Sequence, residues 1–171
     1  FKLYKWNIEH IASRKDSTSI PLANRRDWLL DVKCYIDKEQ EESEGLFSRI
    51  DDMLNNETYT NDDKFASLFD AVTNHFNKYM SETEDVDGIS NLALLDEKTN
   101  KGYKNAVFPL KRKCIIENDK TGVFVPICTK NVFLKYFSDY PPKISFWTQD
   151  DREKYEQDLV RVLANYLEVT K

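Results

Sequence analysis

Glu9 and His10 are adjacent, and together they are the residues of this chain best suited to hydrolytic chemistry. An imidazole ionises near neutral pH and can take a proton from water, and a carboxylate is a ligand that magnesium favours. Neighbouring residues on a strand point to opposite faces, so both side chains can serve one phosphate only where the strand ends or bulges. A Glu-His pair by itself remains compatible with a structural role.

A second group of polar residues lies in the stretch NLALLDEKTNKGYKN. Asn91 stands at the head of a predicted strand, and Asn100 follows nine residues later, inside a short helix predicted to begin near Asp96 or Glu97. The amide oxygen of Asn100 and the carboxylate of Glu9 are hard oxygen ligands. With several waters and a substrate phosphate, two such ligands suffice for one magnesium ion.

The order of these residues resembles the HNH superfamily and its ββα-metal fold. In that family an acid-His pair closes the first strand, an asparagine opens the second strand, and another asparagine on the following helix completes the metal site. The matching positions in this chain are Glu9, His10, Asn91 and Asn100.

More specifically, the runs IEHI, SNLALL and FPLKR resemble the C-terminal nuclease domain of GmrSD-type modification-dependent restriction enzymes. Residues 6–11 and 89–112 carry this likeness. The chain departs from the family after the histidine, where Ala12, Ser13 and Arg14 replace the usual Pro and Gln, and before the first asparagine, where Ser90 replaces Gly. These departures change no predicted ligand or base.

The resemblance implies a metal-dependent DNA endonuclease of a restriction or phage-defence system, with a catalytic set of His10, Asn91 and Asn100. Glu9 and Asn100 would bind Mg²⁺ or Mn²⁺, and no zinc is expected. Asn91 would hold the loop after the first strand through hydrogen bonds to its backbone, and the structural part of the motif would consist of Asn91, Asn105 and Phe108. The implied partners are DNA, modified DNA included, a ParB-like nucleotide-hydrolysing domain N-terminal to this region, and, as one option, a second copy of the chain.

Charge is distributed unevenly along the chain. The net charge is −5, but residues 37–63 hold ten acidic and two basic residues, whereas residues 98–113 hold six basic residues and no acidic one. A basic patch on an acidic protein indicates contacts to backbone phosphates, although a run of lysines is also typical of a solvated helix face. The predicted phosphate contacts are Lys101, Lys104, Lys111, Arg112 and Lys113.

Hydrophobic periodicity predicts the elements that position these residues. Residues 3–11 favour a strand that turns near residues 12 and 13, residues 13–24 a loop, and residues 89–95 a second strand. Helices are predicted over 26–36, around 46–54, over 65–80, 107–118 and 130–137, and from a capping box at Thr148 onward, while residues 121–128 are predicted to be extended. The fold class predicted is α+β and predominantly helical, with a small ββα-metal motif embedded in a helical domain.

One domain is expected over residues 1–171, as the C-terminal fragment of a longer protein, with residues 26–85 a helical insertion between the halves of the motif. The three cysteines, Cys34, Cys114 and Cys128, form no C-x-x-C pair and are predicted to be reduced core thiols. No apolar run approaches the length of a membrane span, which leads us to expect a cytoplasmic protein without a membrane partner.

Two other hypotheses stay open. A catalytically degenerate HNH fold acting as a DNA-binding or interdomain module would keep the basic run and need no metal. A helical interaction domain would account for the amphipathic helices and the acidic insertion, and a position of Asn100 far from His10 would favour it.

Overall fold

Two short strands, β1 (Trp6–His10) and β2 (Leu92–Asp96), pair antiparallel, with Trp6 opposite Asp96 and His10 opposite Leu92. The computed structural model describes residues 5–12, 20–36, 41–80, 85–97, 106–164 and 166, with the backbone alone for residues 41 and 42. Leu94 and Ile8 are register partners and both remain exposed, whereas Ala93 and Leu95 are buried. This alternation gives the hairpin one core face and one solvent face.

Helices make up most of the remaining described residues, so the fold class is α+β and predominantly helical, as predicted. In chain order the α-helices among the described residues are α1 (Leu22–Lys33), α2 (Glu41–Asn55), α3 (Asp62–Asn77), α4 (Phe108–Lys120), α5 (Ile127–Phe133) and α6 (Gln149–Leu163). Two 3₁₀ turns occur at Thr58–Thr60 and Ile89–Asn91. No helix in the described residues is both long and apolar enough to cross a membrane.

The three helices predicted between the strands, α1 to α3, are present and pack around one hydrophobic cluster. The Trp28 ring of α1 stacks on Phe69 at a centroid distance of 5.2 Å and meets Phe65 edge-on at 5.7 Å. Val107 and Leu110, at the start of α4, belong to the same cluster. The helices between the two strands therefore share their core with the helix that follows β2.

A second hydrophobic cluster lies beneath the core face of the hairpin. Phe108 of α4 is at its centre, stacked on Phe133 at 5.7 Å and on Trp147 at 5.8 Å between ring centroids. Its other buried members are Ile11, Ala12, Ala93, Leu95, Ile115, Val125, Val132 and Tyr155. Phe108 is thus a core residue, and its place in an HNH motif stays a prediction.

The last helix begins with the predicted capping box. Thr148 Oγ1 accepts a hydrogen bond from the Asp151 amide at 3.2 Å, and Asp151 Oδ2 accepts one from the Thr148 amide at 2.8 Å. Tyr155 in the first half of α6 is buried and Leu159 is partly buried, whereas Leu163 at the end of the helix and Tyr166 beyond it are exposed. The end of α6 after Leu159 therefore lies outside the core.

Several local predictions were wrong. Residues 121–128 do not form an extended segment, since 121 and 122 turn and Cys128 lies in α5, and no described strand pairs with this stretch. α5 ends at Phe133 rather than near residue 137, α1 begins at Leu22 inside the predicted loop, and the second strand begins at Leu92 after a 3₁₀ turn.

The prediction of core cysteines was wrong for Cys34 and Cys128, which are exposed, and Cys114 is half-buried. All three are free thiols. The short helix predicted to begin near Asp96 or Glu97 is observed only at Glu97, which is helical directly after β2 ends at Asp96, and its positions at 98–105 lie outside the described residues.

Candidate functional site

His10 is the last residue of β1, and the chain bends immediately after it at Ile11 and Ala12. Its ring Nε2 lies 2.7 Å from Oδ1 of Asp87, a residue 77 positions away in the sequence. The His10 side chain keeps 28% of its exposure and that of Asp87 keeps 57%, so the pair is accessible to a ligand from solution. An exposed pair of this kind contributes at most about 1 kcal/mol to folding, which leaves room for a chemical role.

The Asp87 contact determines which nitrogen of His10 is available for chemistry. A carboxylate can only accept a hydrogen bond, so Nε2 of a neutral His10 carries the proton and donates it to Asp87. Nδ1 then has a free lone pair. A histidine whose one nitrogen is held by a carboxylate while the other can accept a proton has the arrangement of a general base.

Glu9 is engaged on the other side of the strand. Lys111 of α4 donates from Nζ to Oε1 of Glu9 at 2.8 Å and to the backbone oxygen of His10 at 2.6 Å. The Lys111 side chain is 2% exposed and the Glu9 side chain 15%. Burial lowers the pKa of Lys111, and the charge and hydrogen bond of Glu9 oppose only part of that effect. One buried ammonium thus fixes both the Glu9 carboxylate and the backbone end of β1.

Asn91 connects the bend after β1 to the segment that carries Asp87. It is fully buried, its Oδ1 accepts from the Ala12 amide at 2.9 Å, and its Nδ2 donates to the oxygens of Ala12 at 3.3 Å and Val86 at 2.9 Å. Its backbone oxygen also accepts from the Ile11 amide at 2.8 Å. These are the side-chain to backbone hydrogen bonds that the resemblance implies for Asn91, and a catalytic role for it stays a prediction.

Asp87 projects from a compact segment, residues 85–90, which we call the 85–90 turn. Its amide donates to Oδ1 of Asp85 at 2.9 Å, and the Gly88 amide donates to the Asp85 backbone oxygen at 3.0 Å. The Gly88 oxygen then accepts from the Asn91 amide at 2.8 Å. The turn is therefore hydrogen-bonded internally and to the residue that opens the second strand region.

The structure places the predicted basic contacts differently from a continuous exposed run. Lys111 lies in the interior, which corrects the prediction that it meets a phosphate from the surface, because its ammonium is held by Glu9. Lys113 keeps 40% of its side-chain exposure and bonds Asp31 of α1 at 3.0 Å, a contact that raises its pKa, while Arg112 is half-buried. The predicted residues Asn100, Lys101, Lys104 and Asn105 lie outside the described residues.

Glu9 provides the kind of donor that a magnesium site needs. Lys111 bonds Oε1, so Oε2 of this partly exposed carboxylate is the oxygen that can accept a cation. Its predicted co-ligand, the amide oxygen of Asn100, is also a hard donor. Within the described residues no group of three or more His, Cys, Asp and Glu side chains is placed to hold a metal ion. A magnesium site of Glu9 and Asn100 therefore stays a prediction, in which water and substrate would supply most of the coordination.

Asp87 is a site residue that the sequence does not predict, because it lies between the predicted helix over 65–80 and the predicted strand over 89–95, among several other acidic residues. Its signal was positional, since it precedes Gly88 and stands four residues before Asn91. An acid in a turn that leads into a motif asparagine can reach the end of the partner strand.

Comparison with known proteins found no match: no family model, no curated protein and no solved structure is similar to this chain. The resemblance to HNH nucleases therefore rests on the sequence motif alone.

Proposed function

We propose that this chain is a metal-dependent DNA endonuclease that hydrolyses phosphodiester bonds, with His10 as general base. The observation that carries the proposal is the accessible His10 ring whose Nε2 is held by Asp87 at 2.7 Å beside the strand end that Glu9 and Lys111 define. His10 and Asp87, 77 positions apart in the sequence, meet at this strand end, while Glu9 and Lys111 pair on the other side of the strand.

In the proposed reaction, Nδ1 of His10 takes a proton from a water molecule as the water oxygen attacks phosphorus. Asp87 stabilises the imidazolium that forms, and the bond from phosphorus to the 3′ oxygen breaks, with that oxygen taking up a proton from solvent. Glu9 and Asn100 would hold the magnesium ion, which when bound supplies positive charge beside the phosphate and the departing oxygen. Lys111 keeps the Glu9 carboxylate in place for that purpose.

The wider setting of the proposal follows the sequence resemblance. The substrate would be DNA, including modified DNA, within a restriction or phage-defence system in the cytoplasm. A ParB-like nucleotide-hydrolysing domain would choose the target, and Lys101, Lys104, Arg112 and Lys113 would contact phosphates. A homodimer would bring two active sites to the two strands.

The test compares the two histidines of the chain. His10→Ala should reduce Mg²⁺-dependent nicking of supercoiled plasmid by about 100-fold or more, the usual contribution of a general base. His75→Gln is the matched control, because the His75 ring packs against Phe76 and Phe146 and lies outside the proposed site. Circular dichroism checks that both variants fold. Equal nicking by His10→Ala and the wild type would refute the assignment.

One observation favours the second candidate, a metal-free module that binds DNA or another domain. The Lys111 ammonium already neutralises Glu9, so the site is balanced in charge without an ion. Calorimetric titration with Mg²⁺ and Mn²⁺ separates the candidates. Binding that is lost in Glu9→Ala belongs to the nuclease, whereas DNA binding without any metal site belongs to the module.

A further inference from the structure

Arg152 of α6 is an almost completely buried arginine that reaches the 85–90 turn. Arg152 is 3% exposed. Its Nη2 donates to the Asp85 backbone oxygen at 2.8 Å, and its Nε lies 3.4 Å from Oγ of Ser90. These partners stand 67 and 62 positions before it in the sequence. Burying a guanidinium costs free energy unless hydrogen bonds replace its lost hydration. The contacts of Arg152 to the 85–90 turn therefore help to hold the guanidinium in one position.

The oxygen that Arg152 contacts is the one that closes the turn. Asp85 O also accepts from the Gly88 amide, and the Asp87 amide between them bonds the Asp85 side chain. A Cβ placed on Gly88 would lie 3.0 Å from Asp85 O and 3.5 Å from Arg152 Nη2. The backbone and the guanidinium are therefore packed without spare room, and the direction of the Asp87 side chain depends on both.

α6 is a firm support for this contact. On one side of Arg152, Asp151 is buried in the capping box and bonds Lys135, and on the other, Tyr155 bonds the Leu92 oxygen of β2 at 3.5 Å. Burial acts to raise the pKa of Asp151, but hydrogen bonds from Lys135, Ser138 and the Thr148 amide outweigh it and lower that pKa. On one side of the arginine α6 is thus bonded to Lys135, which follows α5, and on the other side to β2.

We infer that Arg152 is a positioning residue of the active site: it fixes the 85–90 turn so that Asp87 holds Nε2 of His10. The inference rests on the proposed function for its catalytic meaning, but the arrangement itself can be tested without catalysis. A merely structural Arg152 would affect stability and leave the His10 ring unchanged.

The first measurement reports the state of the His10 ring by ¹⁵N NMR of the imidazole nitrogens. The wild type should show the Nε2-protonated form, and Asp87→Ala and Arg152→Met should shift the His10 signals in the same direction. Arg161→Met is the matched control on the same helix, since the Arg161 side chain is 73% exposed and pairs only with Asp158 among the described contacts. It should leave the His10 signals unchanged.

The second measurement is the rate of plasmid nicking, separated into kcat and KM. Arg152→Met and Asp87→Ala should each lower kcat by about 10- to 100-fold with KM changed less than about threefold, as expected for a displaced base. The double variant should be no slower than the slower single variant, because Arg152 acts through Asp87. Arg161→Met should nick at the wild-type rate.

If Arg152→Met fails to fold, Gly88→Ala disturbs the same turn without changing α6 and should give the same NMR shift and kcat loss. Unchanged His10 signals in a folded Arg152→Met or Gly88→Ala variant would overturn the inference, as would additive losses in the double variant. The two proposals can also be separated. If the wild type does not cut DNA but the His10 signals still shift in the Arg152 and Gly88 variants, the proposed nuclease function is refuted and the positioning role of Arg152 is retained.

Discussion

Replacing Asn91 with alanine should destabilise the protein strongly, since this one side chain makes three hydrogen bonds in the interior. The change removes the bonds to Ala12 N, Ala12 O and Val86 O and puts nothing in their place. Ala12 is 1% exposed, so water cannot readily replace the lost partners.

The magnitude follows from the bonding. Each intramolecular hydrogen bond is worth about 1 kcal/mol net, and a buried donor or acceptor left unpaired costs about 1–3 kcal/mol. We therefore expect Asn91→Ala to lower the free energy of unfolding by about 3 kcal/mol, which for a chain of this size lowers the Tm by about 6–12 °C. Asn91→Asp should be no more stable than Asn91→Ala. The aspartate keeps the acceptor for Ala12 N, but its second oxygen faces the carbonyl oxygens of Ala12 and Val86.

Urea unfolding followed by tryptophan fluorescence measures this free energy. Asn56→Ala is the matched control, because Asn56 is exposed and its side chain makes one hydrogen bond, to the Asp52 oxygen at 2.9 Å. That variant should stay within about 0.5 kcal/mol of the wild type. A loss below about 1 kcal/mol in Asn91→Ala, or a loss equal to that of the control, would contradict the view that Asn91 holds Ala12 and Val86 together.

Two further stability predictions concern buried ionisable groups. Lys111→Met should lower the free energy of unfolding, measured with urea, by about 3 kcal/mol because it leaves the Glu9 carboxylate without its partner. Adding Glu9→Gln should recover part of that loss. A double variant less stable than Lys111→Met would contradict this. Burial raises the pKa of Tyr155 from 10.0 to about 12, so between these values the unfolded chain loses the proton that the folded chain keeps, and stability falls as the pH rises. The free energy of unfolding should drop over that range by on the order of 2–3 kcal/mol more in the wild type than in Tyr155→Phe, and equal slopes would contradict it.

Features encoded by local periodicity were predictable. The amphipathic stripes of α2 and α3 and the Thr148 capping box each depend on residues a few positions apart, and the structure has them where the sequence indicates. Glu9 and His10 at the end of a strand and Asn91 before the other strand were also predictable, because strand ends and turns have local signals. The extended segment over 121–128 failed because strand propensity alone supplies no pairing partner.

The contacts that build the site were not predictable from spacing. His10 and Asp87 are 77 positions apart, and Glu9 and Lys111 are 102 apart. Lys111 did carry a signal that its basic neighbours hid: it lies three residues after Phe108 and four before Ile115, both 1% exposed, and therefore on the core face of α4. A charged residue in a buried stripe indicates a partner charge inside the fold.

The two strands that carry the candidate site are connected by a long helical segment rather than by a short turn, and this affects the order of events during folding. Ala12 and Asn91 are 79 positions apart, so bringing them together costs about 2–3 kcal/mol more chain entropy than closing a tight hairpin. During translation His10 leaves the ribosome long before Asp87 and Asn91 are made. His10 therefore acquires its carboxylate partner only after the segment between the strands has been synthesised and its two ends have met, so an incomplete chain carries His10 without the group that bonds its Nε2.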